Sequence, residues 1–201
     1  MYPGGLLIVI SAPSGTGKGT LIKKLQEHNN RIRLSISATT RQPRESELDG
    51  KNYFFRSVSD FKTMVENDEL IEWVEYCDNF YGTPREYIDA SLREGYDIVL
   101  ELEVEGAHNI RNKYPDSILL FILPPSFEEL RKRIENRGTE KPEVILKRMD
   151  KAKKEIMYIN NYDYVIINDN IDKAVNEINM IVTAEKLKVK RNRDILNHLG
   201  V

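Results

Sequence analysis

Cysteine is nearly absent from this sequence: Cys77 is the only one in 201 residues. A single thiol excludes an internal disulfide framework and any zinc site built from several cysteines. Nothing beside Cys77 marks it as a nucleophile, so it reads as an inert small residue. Long apolar runs are missing as well. The longest, at 6–10 (LLIVI) and 118–123 (ILLFIL), fall far short of the roughly 20 residues that a membrane-spanning helix needs. No charge of one sign prevails, with 30 Lys+Arg against 32 Asp+Glu and a formal charge of −2. That balance argues against a general nucleic-acid binder. His28, His108 and His198 stand at no metal-ligand spacing. Residues 1–5 (MYPGG) lack the charged start of a signal peptide, so a cytoplasmic location without membrane contact is expected. What is present, 40% hydrophobic residues over 201 positions, suffices for one globular domain.

Short β-rich runs alternate with helical patterns. Strands are expected at 6–10, 34–37, 97–103, 118–123 and 164–167. Near-continuous apolar strands separated by helices predict an α/β fold, a parallel sheet covered on both faces and joined by right-handed crossovers. Two stretches break the alternation. Residues 37–90 carry aromatic and polar pieces (YFF, IEWVEY, FYGT) suited to a small antiparallel insertion, with Trp73 and Phe54 expected in its core. Residues 127–157 are dense in Arg, Lys and Glu with helical periodicity. Their charge balances differ: six basic against twelve acidic residues in 37–90, ten against seven in 127–157. The last 30 residues read as one amphipathic helix ending in a basic, solvated tail.

The strongest local signal is SAPSGTGKGT, Ser11 to Thr20, between the first strand and a helix beginning near Lys18. A glycine-rich turn in that setting brings backbone N–H groups to phosphate oxygens, and the helix N-terminus adds its positive dipole. Lys18 is placed to reach the β- and γ-phosphates. The expected ATP-binding set is Ala12, Pro13, Ser14, Gly15, Thr16, Gly17, Lys18, Gly19 and Thr20. Against the pattern G-x-x-x-x-G-K-[ST], Ala12 replaces the first glycine and Gly19 the magnesium-binding hydroxyl. Thr20 offers a hydroxyl one residue later, with Mg²⁺ held mostly through ATP phosphates and water.

Downstream lie SATTRQPR (37–44), GKNYFF (50–55), LIEW (70–73) and NFYGT (79–83). Then come ELEVEGA (101–107), ILPPS (122–126), NRGTE (136–140), KRM (147–149) and YDYVIIND (162–169). In this order, behind the phosphate loop, they resemble the guanylate kinases over about residues 4–185. The resemblance implies a P-loop nucleoside-triphosphate-hydrolase-type parallel sheet flanked by helices. It divides the chain into a core (4–36, 91–126, 158–184), a GMP-binding insertion (37–90), a helical lid (127–157) and a C-terminal helical tail (185–201).

The resemblance also implies roles. Arg41, Arg44, Tyr53 and Tyr81 would hold the GMP phosphate, and two guanidinium forks with two phenols suit a dianion. Ser37, Glu72 and Thr83 would read guanine. One carboxylate accepts from guanine N1–H and its amino group together, whereas adenine turns a lone pair toward it. A polar site left unpaired in that way rejects the wrong base. Glu103 would contact GMP, with Glu101 beside it; the family commonly has Asp at these two positions and Gln where this chain has Glu105. Glu105 alternatively caps the helix that follows. Arg137 and Arg148, eleven residues apart, match the lid's phosphate-binding arginines, while Arg131, Arg133 and Lys147 read as surface charges. Asn168 matches a residue near adenine, or else marks a strand-to-helix turn.

The implied reaction transfers the γ-phosphoryl group of MgATP to GMP, with dGMP an expected second acceptor, yielding ADP and the nucleoside diphosphate. The acceptor phosphate is already anionic, so no general base is required. Lys18, Arg41, Arg137 and Arg148 would act by positioning and charge neutralisation. Two other readings stay open on the sequence. One is a kinase for another nucleoside monophosphate, because GTGKGT also resembles adenylate kinase. The other is a non-catalytic guanylate-kinase-like module that binds phosphopeptides.

Overall fold

The computed structural model describes residues 4–136 and 142–192. Strand β1 (Leu7–Ser11) is buried along its whole length because it lies at the centre of a five-stranded parallel sheet. The other strands are β2 (Ile32–Leu34), β7 (Asp97–Glu101), β8 (Ile118–Leu123) and β9 (Tyr164–Ile167), in the order β2-β7-β1-β8-β9. Alternate residues of β1 supply two cores, as the two-residue period of a strand requires. Ile8 and Ile10 pack with Leu21, Ile22 and Leu25 of α1 (Lys18–His28) and with Val175, Ile178 and Val182 of α7 (Ile171–Leu187). Leu7 and Val9 pack on the other face with Ile88 of α3 (Arg85–Arg93) and Ile110 of α4 (Val104–Lys113). Each such aliphatic side chain contributes about 1.5–3 kcal/mol when fully buried. This sheet is therefore the stiff part of the molecule.

Two expected strands are shorter than the sequence suggests. The segment 34–37 contributes only Leu34, as the end of β2; Ser35 leaves the sheet after donating its N–H to Val99 O at 2.9 Å. The segment 97–103 ends as strand at Glu101, and Glu103 becomes the N-cap of α4, so this helix starts at Val104 with Glu105 in its first turn.

A second sheet is formed by β3 (Ala38–Thr39), β4 (Phe54–Phe55), β5 (Leu70–Tyr76) and β6 (Asn79–Pro84), in the order β4-β3-β6-β5. It is mixed and not wholly antiparallel: β3 pairs with β4 in parallel and with β6 antiparallel. The long connection from residue 40 to 53 lets β4 return in the same direction as β3. Beneath it, α2 (Val58–Glu66) is capped by Ser57, whose hydroxyl accepts from Asp60 N–H at 3.0 Å. The core here is small: Ala38, Phe61 and Leu70, with Phe61 stacked on Phe80 at 5.6 Å. Phe54 packs against this cluster, but Trp73 is 42% exposed, because three apolar residues leave no room for an indole inside. The β5–β6 hairpin closes on Cys77 and Asp78, both at positive φ (49° and 60°), the geometry of a two-residue hairpin turn. Cys77 is exposed there.

The segment 127–157 forms α5 (Phe127–Glu135) and α6 (Pro142–Ile156), packed on each other through Leu130, Ile134 and Ala152. At the other end of the chain the helix stops at Leu187, and the basic residues that follow, Lys188 and Lys190, are exposed. A 3-10 turn at Val189–Arg191 folds back so that Lys190 pairs with Asp116 at 2.6 Å and Arg191 with the buried Glu185 at 3.5 Å. Among the described residues no helix is long and apolar enough to cross a membrane.

Candidate active site

Ser11 pairs with Phe121, and the preceding Ile10 with Glu101. The loop that follows β1 therefore opens at the carboxyl edge of the sheet, where open α/β folds bind ligands. Gly15 and Gly17 have φ of 95° and 88°, which lets the chain curl so that its N–H groups face inward. Space also requires glycine here: a Cβ on Gly15 would lie 2.8 Å from Ile134 Cγ1 of α5. Helix α1 starts at Lys18 with no side-chain cap and no acidic residue in its first turn. Its free N–H groups and dipole are left to an anion.

The loop is braced from behind by residues far away in sequence. Thr16 is buried, and its hydroxyl donates to Pro13 O. The Thr16 carbonyl accepts from the side-chain amide of Asn168 at 2.9 Å and from Arg133 Nη1 at 3.3 Å. Arg133 also donates to Asn168 O at 3.1 Å and to Glu129 at 2.9 Å. Asn168 is thus buried under the loop, and Arg133 is a brace between α5, loop and strand end instead of the surface charge expected of it. Arg131 does pair one turn along the surface, with Glu135 at 2.8 Å. From α6, Arg148 donates to Ser14 Oγ at 2.6 Å. Lys18 Nζ lies 3.4 Å from Leu102 O and 3.7 Å from Glu101. Thr20 is exposed in the first turn of α1. Arg137 lies outside the described residues.

Across the cleft, β5 and β6 hold Glu72 opposite Thr83. Glu72 is 3% exposed; one oxygen accepts from Thr83 Oγ1 at 2.6 Å and the other, Oε2, has no hydrogen-bond partner among the described residues. Burial pushes its carboxyl up to about 7, against which the Thr83 hydroxyl and the more distant Lys113 act. A Cβ on Gly106 would sit 3.2 Å from that oxygen, so α4 leaves a small gap at the acceptor. Ser37, half-buried, holds β4 through its carbonyl, which accepts from Phe54 N–H at 2.9 Å.

Arg41, Tyr53 and Tyr81 come together as a group. The guanidinium carbon of Arg41 is 5.3 Å from the Tyr53 ring centre, and the Tyr53 and Tyr81 rings meet edge-on at 6.2 Å. Burial raises the Tyr53 phenol above its usual range, and the Glu101 and Tyr81 charges add to the rise. Arg44 is exposed, and its backbone N–H donates to Glu47 at 2.8 Å. Glu47 also receives Arg41 Nη2 on both oxygens at 2.9 Å. The Arg44 N–H bond is the largest influence holding the Glu47 carboxyl below its usual range, followed by Arg41 against a burial effect of opposite sign. Glu103 pairs with Lys151 of α6 at 3.0 Å.

Glu47, Arg133 and Lys151 were not singled out from the sequence as site residues. Weak signals existed: Glu47 lies three residues after Arg44, Arg133 four before Arg137, and Lys151 three after Arg148, the last two being same-face spacings on a helix. Among the described residues no group of three or more His, Cys, Asp or Glu side chains is arranged to hold a metal ion.

The sequence matches the family described as guanylate kinase over residues 5–185. It is 53% identical over 191 residues to the guanylate kinase of Caldanaerobacter subterraneus subsp. tengcongensis, covering 95% of this chain and 93% of that one. Against the guanylate kinase of Halalkalibacterium halodurans the identity is 51% over 187 residues, 93% and 92% of the two chains. The crystal structure of guanylate kinase from Anaplasma phagocytophilum superposes with a TM-score of 0.77 at 34% identity, over 94% of this chain and 90% of that one.

Proposed function

The chain belongs to the guanylate kinase family, and from that premise we infer that it transfers the γ-phosphoryl group of ATP to GMP, giving ADP and GDP. The observation that carries the choice of acceptor is Glu72: a buried carboxylate with one oxygen bound by Thr83 and the other unpartnered beside Gly106. An unsatisfied buried acceptor costs free energy until a donor arrives. Guanine brings two adjacent donors, and adenine brings a lone pair to the same place. Ser37 and Thr83 complete the base-reading set, and Glu103 contacts the nucleoside from the α4 side.

Arg41, Arg44, Tyr53 and Tyr81 receive the GMP phosphate. Nη2 of Arg41 already lies 2.9 Å from both oxygens of the Glu47 carboxylate, an anionic partner of the kind a phosphate dianion supplies. Residues 12–20 cradle the ATP phosphates, all but Pro13 having a backbone N–H to offer, with Lys18 as the side-chain cation and Asn168 bracing the loop. Arg137 and Arg148 add charge from the lid. In the reaction the GMP oxygen attacks as an anion, and catalysis consists of alignment and neutralisation of the transferred group by Lys18, Arg41, Arg137 and Arg148. The insertion 37–90 and lid 127–157 close over the substrates and exclude water, which would otherwise accept the phosphoryl group.

Magnesium is expected to arrive as MgATP, supplying charge neutralisation across the β- and γ-phosphates. The Glu101 carboxylate, 3.7 Å from Lys18, and the Thr20 hydroxyl in the first turn of α1 are hard oxygen donors of the kind this cation takes, and they would hold it largely through water. The test is a kinase assay comparing GMP, dGMP, AMP, UMP and CMP with and without Mg²⁺. Activity confined to the guanine nucleotides and dependent on the metal supports the reading; equal use of AMP, or ATP binding without turnover, overturns it.

A further inference from the structure

Helix α6 presents two long cations three residues apart, Arg148 and Lys151, to two different sides of the cleft. Arg148 donates to Ser14 in the phosphate loop. Lys151 turns the other way: its Nζ lies 3.0 Å from Glu103 Oε2, 3.3 Å from Glu155 Oε1 and 3.4 Å from the Tyr76 hydroxyl. It also sits 4.7 Å from the centre of the Tyr76 ring. These partners belong to three separate parts of the molecule. Glu103 stands at the N-cap position of α4 in the core, Tyr76 ends β5 in the insertion, and Glu155 lies one turn along α6 in the lid. The orientation of Lys151 is set by its neighbour Ala152, which is buried against Leu130 and Ile134 of α5.

We propose that Lys151 is a positioning residue that ties the lid to the core and the insertion, so that a seated lid fixes the Glu103 carboxylate for GMP. The proposal rests on the reading of Glu103 as a GMP contact. Two observations beyond the distances support it. Glu155 is 8% exposed and its second oxygen has no hydrogen-bond partner among the described residues, so whenever this carboxyl is ionised beside Glu103 it depends on Lys151, 3.3 Å away. A cavity of about 890 Å³ is lined by Tyr76, Glu103, Lys151 and Glu155 together with α4. The tie therefore spans open space, and lid movement can make and break it without disturbing packing.

Electrostatics gives the tie its own signature. Burial would push the Glu103 carboxyl up, but the bond to Lys151, its charge and that of Lys18 together hold it below the usual range. Glu155, by contrast, is pushed up to about 7 by burial and by Glu103. The groups facing Glu103 are thus Lys151 and Glu155 from α6, Lys18 from α1 and Tyr162 from the 159–162 turn, with Tyr76 of β5 reaching it through Lys151. Without Lys151 two carboxylates face each other with only Lys18 to balance them, and Glu103 takes up a proton at higher pH.

Steady-state kinetics of the full chain test this with Lys151→Met, Lys151→Arg, Glu103→Gln and the Met/Gln double variant. Lys151→Met should raise KM for GMP about fivefold while KM for ATP stays within about twofold of wild type. In a Glu72→Gln background, where the step near 7 is removed, loss of Lys151 should move the remaining acidic limb of kcat/KM for GMP up by about one pH unit, and Lys151→Arg should restore both. In the Glu103→Gln background Lys151→Met should add nothing, because the two act on one contact. Equal rises in both KM values, an unmoved pH profile, or the same added effect without Glu103 would each overturn the proposal. If Glu103→Gln leaves KM for GMP unchanged, the GMP reading of Glu103 has failed; if it raises KM and Lys151→Met does not, the tie alone has failed.

Discussion

The phosphate loop stands on a five-stranded sheet with apolar clusters on both faces, whereas Glu72 stands on a four-stranded sheet over three buried apolar residues. On the proposed function the two halves would meet their ligands with different chemistry. On the loop side the donors are backbone N–H groups shaped by Gly15 and Gly17 and braced through the Thr16 carbonyl. Across the cleft the groups are side chains, and one of them, Glu72, is an acceptor whose charge is held in a place that disfavours it. A rigid loop suits a ligand part common to all nucleoside triphosphates, since backbone groups read phosphate alone. A buried carboxylate suits discrimination, because its cost is relieved only by a base with the right donors.

Losing charge on the rigid side should have the largest effect. Lys18→Met is expected to lower kcat by about a thousandfold with an unchanged thermal melt, since Lys18 lies at the cleft and not in either core; near-normal turnover would break the assignment of the loop. On the other side, Glu72→Gln should raise KM for GMP about a hundredfold and narrow the preference over AMP. The same change should stabilise the free protein at alkaline pH. A carboxyl whose folded pKa is about 7 instead of 4.5 favours the fold when protonated, so its penalty is absent at low pH, grows between those values and is complete above them. Chemical denaturation at pH 8 should therefore find the variant more stable by about 1–3 kcal/mol, a gain that vanishes near pH 4.5. A variant less stable than wild type at pH 8 would refute the claim that Glu72 is held at a cost. In wild type, kcat/KM for GMP should fall as pH drops through about 7 as Glu72 takes up its proton, and that step should be missing from the Gln variant.

The bracing of the loop can be probed more gently. Asn168→Ala removes one donor from the Thr16 carbonyl but leaves Arg133, so KM for ATP should rise about tenfold, with a stability loss of about 1 kcal/mol. An equal rise in KM for GMP would show that the two halves are not separately built. Smallest of all should be Gly19→Ser. A Cβ on Gly19 would meet no atom within 4 Å, so the hydroxyl of the general loop pattern fits there and Tm should not fall. KM for ATP should stay within about twofold.

Legibility in the sequence followed the range of the forces involved. Strands 118–123 and 164–167 were read from short apolar runs, and the loop from glycines flanked by strand and helix, because these are local signals. The antiparallel reading of the insertion failed at β4, whose direction depends on the path of residues 40–53 and not on its own two residues. Hydrophobicity alone places Trp73 inside, but a side chain is buried only where volume exists for it, and Trp73 is 42% exposed. The roles of Arg133 and Lys151 escaped for a related reason: in sequence each is one more cation in a charged helical stretch.

By itself the sequence determined the α/β alternation, the position of the phosphate loop and the residue types of the cleft, because strand and helix periods and the backbone demands of glycine act within a few residues. Only the tertiary structure decided that Asn168 and Arg133 brace a loop about 150 and 117 positions away, that Glu72 is buried with one oxygen unsatisfied, and that Lys151 joins three parts of the molecule. Burial and charge pairing depend on which segments meet in space, and that is set by the packing of whole elements.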